Sequence, residues 1–395
     1  MSCVAACRAE AHAPIPLRVG ATVIGALRGF VPSFLETAPP LSADQRRALW
    51  ALTHCRTPAL GGQAFGCADC GGVHFAWHSC NHKACPQCGR ADTARWIQRE
   101  LKKLLPVPYF LVTFTLPAEL RGEFFGPHAR EAYDLFFQGA AGALSEKLAA
   151  DKGLRAQVHG FTAVLHTWNQ RLEFHPHIHC LVPGAGLHAQ GHFVRVKNAA
   201  RLLHLDHLQA AFRQRCYRLF QEKNWKVDPA VWRIDWGVHI QPAGGGAAAL
   251  KYLGTYVTRT AISDARLLQV TDTHVTFRWK DRQQGRSEKL RLPGVEFVRR
   301  YLRHVLPRGL RSVRYYGFCH PRAQAKRLRV QLASGLPVQL GASESPPDSS
   351  LPCCPRCERP MRLIGSLPPQ GRSRAPPRVF SRLSPVPLQR SVQTI

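Results

Sequence analysis

The chain has 395 residues, enough for two or three modules with hydrophobic cores of their own. Its 54 Lys and Arg residues face only 25 Asp and Glu residues, and the net charge of +29 favours a polyanionic partner, nucleic acid first. No apolar run approaches the ~20 residues of a membrane span, and no secretory signal is evident. We therefore expect a cytoplasmic protein that associates with nucleic acid and has no membrane partner. In this setting the 14 cysteines indicate metal binding rather than disulfides.

The predicted elements alternate between helices and strands. Helices are expected over residues 42–53, 92–105, 124–150, 199–223, 247–257 and 295–305. Strands are expected over residues 109–117, 161–168, 174–182, 238–241 and 275–279. Strands separated by helices, with one close pair at 161–168 and 174–182, predict an α+β fold with an antiparallel sheet.

Composition divides the chain into four parts. We expect an N-terminal segment (1–40), a cysteine-rich zinc-binding module (41–100), an α+β domain (101–335) and a tail (336–395). The tail is basic and proline-rich, so it is predicted to be disordered.

The cysteine-rich module has the spacing of a zinc site. Cys67 and Cys70 form one C-x-x-C pair and Cys85 and Cys88 another, and thiolates at this spacing chelate tetrahedral Zn²⁺. The other candidate zinc ligands either bind a second zinc ion or bind no metal. They are Cys55, Cys80 and His82. A redox pair is the alternative, but it normally accompanies a βαβ unit, which the pattern lacks. Zinc held by four protein ligands would be structural.

A third C-x-x-C pair lies near the C-terminus, where Cys354 and Cys357 follow Cys353. One pair cannot complete a zinc site. It is interpreted either as half a site completed by Cys319 or His320, or as a remnant.

His177 and His179 lie in the third predicted strand. Side chains two residues apart share one face of a strand, so these two imidazoles are expected side by side. His166 would join them if strands 161–168 and 174–182 pair in the register that puts it on the same face. His175 is a weaker candidate because Pro176 interrupts the ladder beside it. Three imidazoles predict a divalent metal site, and ordinary hydrogen-bonded histidines are the alternative.

Tyr252 and Tyr256 stand four residues apart on a predicted helix and are neighbours on one face. They fall beside the apolar stripe of Leu250, Leu253 and Val257, which indicates accessible phenols. A phenol assisted by a metal can displace a 3′ hydroxyl from DNA and leave a 5′-phosphotyrosine link. A second tyrosine permits a second strand transfer.

These motifs together resemble the IS91 family of rolling-circle insertion-sequence transposases. The resemblance covers roughly residues 45–330. Its motifs are Cys85-Pro-Gln-Cys88, Leu165-His-Thr-Trp168, His175-Pro-His-Ile-His-Cys-Leu-Val182 and Tyr252-Leu-Gly-Thr-Tyr256. One departure is Ala84, where the family often has histidine, with His82 two residues earlier. The ligand set of a second zinc ion therefore stays open.

The resemblance implies an HUH endonuclease-like antiparallel sheet with flanking helices, preceded by the zinc-binding module. It implies Tyr252 and Tyr256 as nucleophiles, and His177 and His179 with His166 as ligands of catalytic Mg²⁺ or Mn²⁺ beside structural Zn²⁺. The resemblance also implies a bacterial, nucleoid-associated protein whose partner is DNA at element ends, single-stranded or cruciform. No oligomeric state follows. Two alternatives remain: a single-tyrosine replication initiator or relaxase-like nuclease, and a zinc-dependent DNA-binding protein whose catalysis has decayed.

Residues 285–330 are strongly basic, with 13 Lys and Arg residues but only Glu288 and Glu296 as acids. This density suits contact with DNA phosphates, and the aromatic residues among the charges could stack on bases. A solvated basic helix face is the alternative. The candidate DNA contacts are Arg299, Arg300, Arg303, Arg311, Arg314 and Tyr315.

Overall fold

The computed structural model describes residues 21–88, 90–257, 261–281, 284–335 and 351–370. Its helices are α1 (Val23–Thr37), α2 (Ala43–His54), α3 (Arg90–Leu101), α4 (Ala129–Ala150), α5 (Leu205–Glu222), α6 (Ala247–Val257), α7 (Gly294–Leu302) and α8 (Gln324–Ala333). Its strands are β1 (Gly62–Gly66), β2 (Val73–Trp77), β3 (Tyr109–Thr115), β4 (Gly160–Trp168), β5 (Phe174–Pro183), β6 (Ala185–Leu187), β7 (Phe193–Arg195), β8 (Gly237–Pro242), β9 (Leu267–Val270), β10 (His274–Lys280), β11 (Ser287–Pro293), β12 (Val313–Gly317) and β13 (Arg362–Leu367).

The chain forms two compact units. Of the residues that the structure describes, those within 21–88, 262–305 and 351–370 form the first unit, and those within 90–261 and 306–335 form the second. The second unit is built on a five-stranded sheet in the order β12-β4-β5-β3-β8, in which every neighbouring pair is antiparallel. Strand β5, which carries the paired histidines, lies at its centre.

The two faces of this sheet have separate apolar cores. One face, with Phe110, Phe161 and Ile178, packs against α4 and α5. The opposite face, with Leu111 and Leu181, packs against residues of α3 and α6. Because side chains alternate along a strand, the even-numbered residues of β5 enter the first core and the odd-numbered ones face α3 and α6.

The first unit contains two three-stranded sheets, ordered β13-β1-β2 and β11-β10-β9. Helix α2 begins with a capping box: the Ser42 hydroxyl accepts from the Gln45 amide at 3.2 Å, and the Gln45 side chain accepts from the Ser42 amide at 3.0 Å. Helices α1 and α7 pack closely because Gly294 lies against the Phe30 ring, where any side chain would collide with it. Residues 262–305 were expected in the α+β domain, but in the structure they belong to the first unit.

The α+β class with antiparallel sheets is confirmed. The expected tail is only partly as predicted, because residues 351–370 are folded and β13 pairs with β1. The remaining tail, residues 336–350 and 371–395, lies outside the described residues. Within the described chain, no helix is both long and apolar enough to cross a bilayer.

Candidate active site and cysteine groups

The structure brings the three predicted histidines together on one face of the central sheet. In the antiparallel pairing of β4 with β5, His166 lies directly opposite His177, and Val164 lies opposite His179. The three rings offer nitrogen atoms that all lie within 4.8 Å of one another, and each residue is less than a tenth exposed. We call this set the histidine group.

Hydrogen bonds orient the imidazoles. Nδ1 of His177 donates to the backbone carbonyl of His175 at 2.7 Å, which fixes the neutral tautomer with its lone pair on Nε2. This Nε2 lies 2.8 Å from Nδ1 of His166. Nδ1 of His179 is bonded at 2.8 Å to Oγ1 of Thr113, the residue directly opposite it on β3. Such outer hydrogen bonds are typical of metal-binding histidines because they hold the ring orientation.

The chemistry of the histidine group fits a divalent metal ion. Three neutral imidazoles are good donors for first-row transition ions, and three protein ligands leave coordination positions open for a substrate oxygen. The remaining histidine of strand β5, His175, lies outside the histidine group. Its ring accepts a hydrogen bond from Arg121 at 3.0 Å, and burial together with the Arg121 charge lowers its pKa.

Tyr252 approaches the histidine group from helix α6. Its ring centroid lies 6.0 Å from that of His179, with the ring planes at 71°. As the sequence pattern indicates, Leu250 and Leu253 are buried, whereas Tyr252 is half-buried at the margin of their stripe. Tyr256 lies one turn further along the same helix.

Two glycines allow α6 to lie this close. Gly254 lies against Ile97 of α3, and a Cβ there would approach the Ile97 side chain to 2.4 Å. Gly246, just before the helix, has a φ of +82° and contacts the Tyr109 ring. Bulkier residues at these positions would push α6, and Tyr252 with it, away from the sheet.

Eight cysteines form two groups of four. The first cysteine group contains Cys55, Cys80, Cys85 and Cys88. Its measured sulfur–sulfur distances are 3.5 to 3.7 Å, close to the ~3.8 Å edge of a tetrahedron whose zinc–sulfur bonds are about 2.3 Å. Hydrogen bonds from the Cys80 and Cys85 thiols hold the pKa of Cys55 below its usual range.

The second cysteine group contains Cys67, Cys70, Cys354 and Cys357. The structure therefore groups these cysteines differently from their spacing in the sequence. Cys67 and Cys70 do not share a site with the Cys85 pair but meet the C-terminal pair, because β13 pairs with β1.

His82 is in neither cysteine group: its Nδ1 accepts a hydrogen bond from the Ala84 amide at 3.1 Å. Cys319 and His320, the expected partners of the C-terminal pair, are also absent from both groups. Cys319 is half-buried, and the burial of its thiol raises its pKa to about 12.

The predicted DNA contacts are divided between the units. Arg299, Arg300 and Arg303 lie at the end of α7 in the first unit, and the first two pair with Glu296 at 2.7 and 2.8 Å. Arg311, Arg314 and Tyr315 belong to the second unit. The candidate DNA contacts of the basic stretch 285–330 therefore do not lie on one surface of a single unit.

Arg314 and Tyr315 have partners inside the second unit. Arg314 pairs with Asp134 and lies 4.0 Å above the Phe137 ring. The half-buried Tyr315 hydroxyl accepts from Trp96 Nε1 at 2.8 Å and donates to Glu100 at 3.2 Å. Burial and the Glu100 charge raise its pKa. Tyr315 is thus held against helix α3 by two hydrogen bonds. This contact argues against the expected role of its ring as an exposed surface on which DNA bases stack.

The fold, the histidine group with its tyrosine and the cysteine groups are those of a transposase. Both parts of the chain match transposase family models. Residues 160–327 match a family described as "Putative transposase", and residues 26–116 match the "Transposase zinc-binding domain". The chain is a member of the IS91 family of transposases.

Curated relatives support the same family. The chain is 35% identical over 333 residues, 79% of its length and 83% of the relative's, to "Putative transposase y4qJ" of Sinorhizobium fredii. It is 28% identical over 282 residues, 67% of each chain, to "Transposase for insertion sequence element IS801" of Pseudomonas savastanoi pv. phaseolicola. No solved structure matches the chain.

Proposed function

We propose that this transposase nicks and rejoins single-stranded DNA at the ends of an insertion sequence through a 5′-phosphotyrosine intermediate. The observation that carries the proposal is the position of Tyr252, whose ring lies 6.0 Å from that of His179 beside three converging imidazoles. An HUH endonuclease-like fold is part of the proposal, and it is supported by the antiparallel sheet with paired histidines on its central strand.

The proposed step is an in-line displacement at phosphorus. The Tyr252 phenol oxygen forms a bond to phosphorus and loses its proton, while the bond from phosphorus to the 3′ oxygen breaks. The 3′ oxygen leaves with that electron pair and takes up a proton. The products are a 5′-phosphotyrosine and a 3′ hydroxyl. Reversal by a 3′ hydroxyl rejoins DNA without ATP, because the link retains the phosphodiester's energy. Tyr256, one helical turn away, would accept a second strand.

His166, His177 and His179 would hold the catalytic ion, Mg²⁺ or Mn²⁺, which would polarise the phosphate and neutralise developing charge. Their own contribution is rigid placement on two paired strands, with the His179 ring 6.0 Å from the Tyr252 ring. Among the basic residues, we propose Arg299, Arg303 and Arg311 as contacts to DNA phosphates.

The proposal is tested with oligonucleotides that carry an element end, in Mg²⁺ or Mn²⁺. We expect a covalent protein–DNA adduct on a denaturing gel, with the adducted peptide mapped by mass spectrometry to Tyr252 or Tyr256. The double variant Tyr252→Phe/Tyr256→Phe should lose the adduct, and Tyr217→Phe on α5 should keep it. Full adduct formation by the double variant would overturn the mechanism. A chain that shifts single-stranded DNA but never forms an adduct would be a binding protein.

Thr113→Val should weaken metal binding at the histidine group without removing a ligand. The change deletes the hydroxyl bonded to His179 Nδ1 but keeps the β-branched shape of the strand residue. Loss of such an outer contact typically costs about 10- to 100-fold in metal affinity or activity. The measurement is the Mn²⁺ concentration that gives half-maximal adduct formation. Thr115→Val, two residues along the same strand, is the matched control and should leave that concentration unchanged.

A further inference from the structure

The two cysteine pairs of the second cysteine group lie in turns of the same construction. In the first turn, the Cys67 carbonyl accepts from the Gly71 amide at 3.0 Å, and the Cys67 amide donates to the Gly72 carbonyl at 2.9 Å. In the second turn, the Cys354 carbonyl accepts from the Glu358 amide, and the Cys354 amide donates to the Arg359 carbonyl, both at 2.7 Å.

The residue after each pair is also in the same conformation. Gly71 has a φ of +65° and Glu358 a φ of +59°. Glycine adopts this left-handed region readily, but a glutamate there is uncommon. The C-terminal turn therefore repeats the N-terminal one even where its sequence disfavours the conformation, which indicates that the geometry of the two cysteines is the feature preserved.

The two turns face each other with their sulfur atoms at metal-binding spacing. Sγ of Cys67 lies 3.4 Å from Sγ of Cys357, and Sγ of Cys70 lies 3.6 Å from Sγ of Cys354. All four sulfurs lie within 4.8 Å of one another, as tetrahedral zinc with four thiolates requires. His74 Nε2, 3.8 Å from Cys354 Sγ, can donate to a thiolate there.

The surroundings of the second cysteine group join distant parts of the chain. Cys67 and Cys354 are buried with Phe65 and Met361 in a small apolar cluster. Strand β13 follows the C-terminal turn and pairs with β1 from Gly62 opposite Leu367 to Gly66 opposite Arg362. The C-terminal pair lies outside both ranges matched by the family models, 26–116 and 160–327.

We propose that Cys67, Cys70, Cys354 and Cys357 bind a second structural Zn²⁺, and that this ion fastens the C-terminal segment, residues 351–370, to the β1–β2 hairpin. Binding releases the protons of the thiols and closes a loop between Cys67 and Cys357, which are 290 residues apart in the chain. The small contact between β13 and β1 is then held by the metal, so the segment should detach when the ion is lost.

The test is the zinc content of the purified full chain and of two variants. We expect Cys354→Ser/Cys357→Ser to hold one zinc ion fewer than the wild-type chain. Cys353→Ser should hold as many as the wild type, because the altered cysteine is adjacent to the pair but outside the group. Backbone amides of residues 362–367 should exchange with deuterium faster in the double variant only. A zinc content in the double variant equal to that of the wild type, or unchanged exchange in β13, would overturn the proposal.

A second measurement covers the case in which the double variant does not fold. Co²⁺ replaces zinc in the wild-type chain and reports thiolate ligands through its charge-transfer absorption. We expect two equivalents to bind with tetrathiolate spectra, and zinc to protect Cys354 and Cys357 from alkylation together with Cys67 and Cys70. Saturation at one equivalent, or alkylation of the C-terminal pair in the zinc-loaded chain, would refute the second site.

Discussion

His177→Ala is expected to reduce covalent adduct formation about a thousandfold while leaving the chain folded. His177 contributes the central imidazole of the histidine group: its Nε2 lies 2.8 Å from His166, and its Nδ1 is bonded to the His175 carbonyl. Charge stabilisation by a bound ion is worth several kcal/mol in the transition state, and each ~1.4 kcal/mol corresponds to tenfold in rate. The measurement is the single-turnover rate of adduct formation at saturating Mn²⁺.

The matched control is His175→Ala on the same strand. This ring lies outside the histidine group and contacts Arg121 instead, so its removal should change the rate only a few-fold. Circular dichroism should give the same melting behaviour for both variants within a few degrees, since neither side chain belongs to the apolar core. Equal losses of activity in the two variants would indicate that the substitutions had distorted strand β5, rather than removed a ligand of the catalytic ion.

The sequence was sufficient to predict the histidine group because the information is local. Strands β4 and β5 are adjacent in the chain, and period-two alternation puts His177 and His179 on one face. Only the register of the pair had to be assumed, and the structure has the register that brings His166 opposite His177. The position of Tyr252 beside the Leu250–Leu253 stripe likewise follows from helical periodicity.

The division of the cysteines was not predictable from spacing. Cys67 and Cys357 are brought together by pairing of β13 with β1, a contact between distant segments that no local pattern encodes. The proline-rich composition of the tail concealed β13. Helix α1 was missed for a comparable reason, because Gly29 and Pro32 interrupt its helical pattern although its buried residues pack against α7.

Tyr315 shows a further limit of composition. Its surroundings in the sequence are basic, which favoured a contact with DNA. Strand β12, however, is an edge of the central sheet, and its position brings the Tyr315 hydroxyl to Trp96 and Glu100 of α3. The charge of a segment constrains its partners only where its side chains remain at the surface.

Cys80→Ser and His82→Ala should have opposite outcomes, although the sequence gives both residues the same standing as zinc ligands. Cys80 is one of four converging thiols, whereas His82 bonds the Ala84 amide outside them. Cys80→Ser should lose one zinc ion per chain, and His82→Ala should lose none. Structural zinc contributes about 10–16 kcal/mol to folding in small zinc modules, as much as the whole stability of many domains. The cysteine variant should therefore unfold the first unit.

The expected unfolding reaches beyond the cysteine turns because helices are bonded to them. Arg28 of α1 donates to the Cys55 carbonyl at 2.7 Å, and the Tyr301 hydroxyl of α7 donates to the Ala84 carbonyl at 2.6 Å. Loss of the ion should thus raise hydrogen exchange in α1, α2 and α7 together, while His82→Ala leaves all three protected. If His82→Ala released zinc and Cys80→Ser retained it, the four-thiol group would not be the metal site.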